Sequence, residues 1–111
     1  MNHVARVTAP PAAAVDVYFG GDQALFDEFL QACTHQFPVD LAQGHAACQA
    51  ADWAALRRTA HNLKSVLLTL GYEGLSVQAA QCETFSQQGH PALAEVAWGQ
   101  LADGMRAAFP G

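Results

Sequence analysis

The sequence predicts an all-α protein: an antiparallel up-down four-helix bundle with a short N-terminal helix. Three observations lead there. Apolar residues recur at spacings of three and four through most of the chain, the period of one face of an α-helix. No segment alternates apolar and polar residues as a half-buried strand would. The periodic segments are parted by brief turn signals at Gly20-Gly21, Gly71 and Gly89-His90-Pro91, and short connections make consecutive helices antiparallel neighbours. A length of 111 residues, 51% of them apolar and only 14% charged, suits one domain with one hydrophobic core.

The elements follow in order. Residues 1–14 hold two adjacent prolines and an alanine run and read as a linker, or as the remnant of excision from a longer chain, with the domain spanning 15–109. Val15 to Phe19 form a short helix before Gly20-Gly21. Asp22 is placed to cap the next helix, which carries Phe26, Phe29, Leu30, Cys33 and Phe37 on one side. Pro38 is expected to stop that helix and to start another, running to about Ala51 with Leu41, Gly44 and Cys48 on one side. Gly44 costs helix propensity and is expected to admit a close neighbour. Asp52 caps the segment in which Leu56, Ala60, Leu63, Leu67 and Leu70 form an inward stripe, and Gly71 ends it. Leu75, Ala79, Cys82 and Phe85 mark a further helix, ended near Gly89. Pro91 opens the last one, which turns Ala94, Trp98, Leu101 and Met105 inward.

Composition excludes several functions. A net charge of −5 argues against general nucleic-acid binding, which needs a broad basic surface. No apolar run approaches the ~20 residues of a membrane span, and Val4 to Val15, broken by Arg6 and a Pro-Pro pair, lacks a signal-peptide core. Cys33, Cys48 and Cys82 are far apart with no CxxC spacing, and read as reduced, apolar residues of a cytosolic domain. A zinc site joining them to His35 or His45 lacks any local ligand spacing. A metal-binding bundle using His35, His45, His61 or His90 lacks the Glu-x-x-His pairs on two helices that such bundles use.

One histidine stands out. The chain has five Lys and Arg residues, and three of them, Arg57, Arg58 and Lys64, lie within four positions of His61. With Leu56, Ala60, Leu63 and Leu67 inside, the 100° helical step turns His61 to the flank and outwards. Arg57, Arg58, Lys64 and Ser65 share its face, and Leu68 follows two turns on. A neutral imidazole is a competent nucleophile near pH 7. A phosphoryl group adds roughly −2 charge, which nearby cations offset. His3 sits in the expected linker, and His35, His45 and His90 have no cationic neighbours at helical spacing. His61 is thus the candidate phosphoacceptor.

The stretch Asp52 to Glu83 resembles the histidine-containing phosphotransfer (HPt) domain of two-component phosphorelays. That family's pattern is Ala-His-x-x-Lys-Gly, a glycine ten residues after the histidine, then a leucine and an acidic or amide residue on the next helix. This chain supplies Ala60, His61, Leu63, Lys64, Gly71, Leu75, Ala79 and Glu83 in register, and the likeness extends more weakly from Asp22 to Met105. The resemblance implies a four-helix bundle with His61 as phosphoacceptor on an exposed helix face. It also implies Lys64 as the cation near the phosphoryl group, and Glu83 as the hydrogen-bond partner of the second imidazole nitrogen. The chain departs from the pattern at Ser65, where the family has glycine, and at Val66, Leu67 and Leu68, where small residues are common.

The expected function is therefore a phosphocarrier that accepts a phosphoryl group from a receiver-domain aspartate and passes it to another. It would be free-standing or the terminal module of a hybrid sensor histidine kinase. There is no nucleotide-binding glycine-rich loop, so it is not expected to be a kinase by itself. No cofactor of its own is expected; magnesium would sit in the receiver's acidic site. The expected partners are response-regulator receiver domains, docking on Arg57, Arg58, Ser65 and Leu68. The expected state is a cytoplasmic monomer without direct membrane contact. The competing reading is a non-phosphorylated helical adaptor that only binds a receiver or kinase, which has no need of His61, Lys64 and Glu83 together.

Overall fold

The computed structural model describes residues 12–110. Residues 1–11, with most of the expected linker and His3, lie outside the described residues. The described residues form five helices and no strand: α1 (Ala12–Phe19), α2 (Gln23–Gln49), α3 (Trp53–Thr69), α4 (Glu73–Gln87) and α5 (Pro91–Ala108). Three residues join each helix to the next. Each packs against its neighbour in sequence, and α5 returns to touch α2. No described helix is long and apolar enough to cross a membrane.

The starts and stops are chemical. Asp22 Oδ1 accepts from the Leu25 N–H at 3.0 Å, and Asp52 Oδ1 accepts from the Ala55 N–H at 3.0 Å. Each cap satisfies an otherwise orphaned donor and is worth ~1 kcal/mol. α3 ends on Gly71 at φ +89°, the left-handed conformation that glycine adopts without steric cost. The Gly71 and Tyr72 N–H groups then close back onto the Leu68 and Leu67 carbonyls at 3.0 and 2.9 Å. The end of α2 closes in the same way through Ala51, the one described non-glycine residue with positive φ.

Two expectations change. Pro38 does not stop a helix; it lies inside α2, which runs unbroken for 27 residues. Proline removes one backbone hydrogen bond and crowds the carbonyl four residues back, but Pro38 is exposed and water can serve the freed group. Packing holds both flanks: Phe37 is buried with its ring tilted against Phe109, centroids 4.9 Å apart, while Gly44 and Ala47 are buried further on. The two segments expected on either side of Pro38 are one element. In addition, α1 starts at Ala12, ahead of the expected Val15, with Ala14 and Val15 both buried.

The α3 stripe is the centre of the core. Leu56, Ala60, Leu63, Leu67 and Leu70 are all fully buried or nearly so, and each leucine contributes on the order of 1.5–3 kcal/mol of burial. They meet Ala79 and Cys82 of α4, Ala94, Trp98, Leu101 and Met105 of α5, and Phe26 of α2, whose ring is closed in by Phe19 at 5.2 Å. Burial on one side of α3 leaves the opposite side, with His61, in solvent.

Gly44 is the close approach the sequence suggested: a Cβ there would overlap the indole ring of Trp98. Gly44→Ala gains up to ~1 kcal/mol of helix propensity, but overpacking of this kind costs ~1–3 kcal/mol. The variant is expected to lose ~1–2 kcal/mol in urea denaturation. Gly99→Ala, where a Cβ meets nothing within 4 Å, is expected to gain up to ~1 kcal/mol. Equal effects at the two glycines would show that the Trp98 contact does not govern this packing.

Candidate functional site

The site is built on the α3–α4 pair. α3 projects His61 outward, its side chain 55% exposed. α4 turns Ser76, Ala79, Cys82 and Ser86 into the helix interface, which leaves Glu83, next to Cys82, on the rim facing α3. The Gly71 turn sets the register between the helices. A hydrogen bond from Ser76 Oγ to the Lys64 backbone carbonyl at 2.9 Å joins them one turn below the histidine.

Glu83 uses both carboxylate oxygens. Oε2 lies 2.8 Å from His61 Nδ1, and Oε1 lies 2.8 Å from Lys64 Nζ. Its side chain is only 15% exposed. The Lys64 hydrogen bond, working against partial burial and assisted by His61, holds the Glu83 carboxyl below its ordinary range. Glu83 is therefore ionised near neutrality. A carboxylate only accepts hydrogen bonds, so His61 must donate from Nδ1–H. In the neutral ring that leaves the Nε2 lone pair free to attack an electrophile.

The remaining residues named from sequence also share this surface. Arg57 and Arg58 are exposed one turn before His61, and with His61, Asn62 and Glu83 they line a small open recess. Ser65 is exposed one turn after His61, its carbonyl accepting from Thr69 Oγ1 at 2.9 Å. Leu68 is 42% exposed, the one large apolar side chain that α3 turns outward, whereas Leu67 is fully buried and Val66 packs against the core. Thus the departures at Val66 and Leu67 are absorbed by packing, and those at Ser65 and Leu68 remain on the surface.

Two contributors were missed. Asn62 lines the recess, and its spacing of four from Arg58 on one helix edge was the available signal. Ser76 is a buried polar residue whose role depends on the α3–α4 register, which has no local sequence signature. Burial pushes the Cys82 thiol, behind Glu83, up to about 12; as a neutral thiol it is inert. Cys33, Cys48 and Cys82 are free thiols. His35 and His45 line a separate groove between α2 and the end of α5, with Phe37, Leu41 and Met105. Among the described residues no group of three His, Cys, Asp or Glu side chains could hold a metal ion.

Comparison with known proteins bears on this arrangement directly. No curated protein and no solved structure matches the chain. The family model described as Hpt domain matches residues 28–108, a span that runs from the first turns of α2 to the end of α5 and includes the whole His61–Lys64–Glu83 cluster. The chain belongs to the Hpt domain family, and so it takes part in phosphotransfer in two-component signalling as a phosphocarrier with receiver-domain partners, without a kinase site of its own.

Proposed function

We propose that His61 is the phosphoacceptor, taking its phosphoryl group from a receiver-domain aspartate and returning it to another. The observation that carries this is the 2.8 Å contact between Glu83 and His61 Nδ1, which orients the ring and keeps Nε2 as the nucleophile. In the forward step the Nε2–P bond forms as the aspartyl O–P bond breaks, and the electron pair leaves on the aspartate carboxylate. Glu83 holds the Nδ1 proton and offsets the positive charge that develops on the ring. Lys64 braces Glu83 and places a cation one turn from the reacting nitrogen. Magnesium belongs to the receiver's acidic site. Such catalysis is mostly positioning and electrostatics.

A receiver would approach over the Ser65 turn. Its acidic pocket is complementary to the Arg57 and Arg58 rim, and Leu68 would supply the apolar contact at the centre. Three-residue connections between packed consecutive helices, with α5 closing onto α2, support the up-down antiparallel four-helix arrangement. We read the domain as a monomer acting in the cytoplasm, free-standing or within a hybrid sensor kinase.

Incubation with a phosphorylated receiver tests the assignment and separates it from the adaptor reading. His61→Gln should remain folded, because the side chain is exposed, and should lose all acid-labile label. Label that persists on this variant refutes the assignment.

Glu83→Ala is expected to slow transfer roughly tenfold to a hundredfold, the loss of one positioning hydrogen bond of ~1.4–2.7 kcal/mol. The pH dependence follows from the lowered folded-state value. A carboxyl depressed in the folded protein stabilises it above its unfolded value, near 4.5, and that contribution is lost as pH falls through the folded value. Wild type should therefore melt slightly above Glu83→Gln at pH 7, by under ~1 kcal/mol because the partners are solvated. The two should converge as pH falls through the lowered folded value. A gap that widens in acid contradicts the ionised clamp.

Ser65→Phe should block transfer while the circular dichroism spectrum is unchanged, and Leu68→Ala should mainly raise the receiver's dissociation rate. Transfer at the wild-type rate in Ser65→Phe would rule out approach over this turn.

A further inference from the structure

Charge accounting around His61 leads beyond the phosphoacceptor assignment, on which this inference rests. Lys64 is the obvious cation for a phosphoryl group on the ring, yet its ammonium lies 2.8 Å from Glu83 Oε1. The pair cancels: one negative carboxylate, one positive ammonium. A phosphoryl group on Nε2 then carries roughly two negative charges, the ring that keeps its Nδ1 proton gains one positive charge, and about one negative charge is left that the Glu83–Lys64 pair does not offset. Two uncommitted positive charges stand beside it. Among the described residues, neither the Arg57 nor the Arg58 guanidinium has an ion pair or a hydrogen bond; the ion pairs involve His61, Lys64 and Arg106 only.

Position agrees with charge. Helix side chains lean toward the N-terminus of their helix, so the His61 ring lies over the turn that carries Arg57 and Arg58. Both arginines line the recess that His61 borders, together with Asn62 and Glu83, whose carboxylate is already held by Lys64. Glu83 occupies the Nδ1 edge of the ring, which leaves the Nε2 edge for the group being transferred. A guanidinium presents paired N–H donors that match phosphoryl oxygens, and it stays charged throughout.

We propose that the recess formed by Arg57, Arg58 and Asn62 is the phosphoryl-binding subsite, with the two guanidinium groups, rather than Lys64, as the principal contacts to the transferred group. Lys64 is then chiefly a positioning residue that fixes Glu83. The arginines serve the chemistry itself, and not only the encounter with an acidic receiver.

A small phosphoryl donor separates those roles, because it has no docking surface. Phosphoramidate suits: the Nε2–P bond forms as its P–N bond breaks, and the electron pair departs on nitrogen as ammonia from the zwitterionic donor. Labelling of the full chain by phosphoramidate is followed for wild type, Arg57→Gln, Arg58→Gln, the double variant and His61→Gln. Arg106→Gln serves as a control that removes one positive charge on α5, where Arg106 pairs with Asp103. The single variants should label about threefold more slowly and the double variant about tenfold. Phosphohistidine in the double variant should also be more sparingly populated at equilibrium with the donor. Arg106→Gln should label at the wild-type rate, and circular dichroism should show every variant folded.

Wild-type labelling in the double variant overturns the proposal and reduces the arginines to a docking rim, while the His61 assignment stands. An equal slowing in Arg106→Gln overturns it too, since net charge alone would then account for the effect. Label retained by His61→Gln is the separate outcome in which the phosphoacceptor reading itself fails. Should the double variant unfold, the single variants decide.

Discussion

The carboxylate of Glu83 is the constraint on which the site depends. It reaches from α4 to α3, accepts from the His61 Nδ1–H on one oxygen and from the Lys64 ammonium on the other, and so fixes a ring that solvent would otherwise leave free to rotate. Exposure and order usually oppose one another in a surface side chain. Here they coexist because the ordering partner is only 15% exposed while the ring it holds is 55% exposed. On the proposed role of His61 as nucleophile both are needed: an open edge to present and a fixed edge to hold it.

The bundle supplies the rigid base for that carboxylate. α3 is buried along Leu56, Ala60, Leu63, Leu67 and Leu70, which fixes its rotation about its own axis and hence the direction of His61. The Gly71 turn and the Ser76 bond to the Lys64 carbonyl fix the register of α4 against it. On the opposite side, Gly44 lets the Trp98 ring fill the gap between α2 and α5. The site is therefore assembled by ordinary helix packing, and the polar groups in it need only modest energies to settle into place.

Charge is distributed to match. Three of the five cations in a chain of net charge −5 gather on one helix face, and one of the three is already neutralised by Glu83. An acidic protein with a basic face presents a directed field to an acidic partner, and on the proposed role of His61 the same face would meet the charge of a phosphoryl group. Leu68 adds an apolar contact to that face where a smaller residue is usual in the resemblance.

Much of this was legible from residue order alone, because it depends on local periodicity and local chemistry. The α3 stripe, the caps at Asp22 and Asp52, the stop at Gly71, the start at Pro91 and the outward direction of His61 all follow from the 3.6-residue repeat and from backbone groups that need partners. The Pro38 break did not follow, since a proline's local penalty is outweighed when Phe37, Gly44 and Ala47 on its two sides are buried in one core. The place of Glu83 was reached only by resemblance; nothing local in the sequence joins it to His61, 22 residues away. The same holds for Ser76 and for the recess at Asn62. Composition and periodicity determined which helices form and which face each one hides. Tertiary packing decided which exposed edges meet, because that depends on the register between two helices, a distance that no single segment encodes.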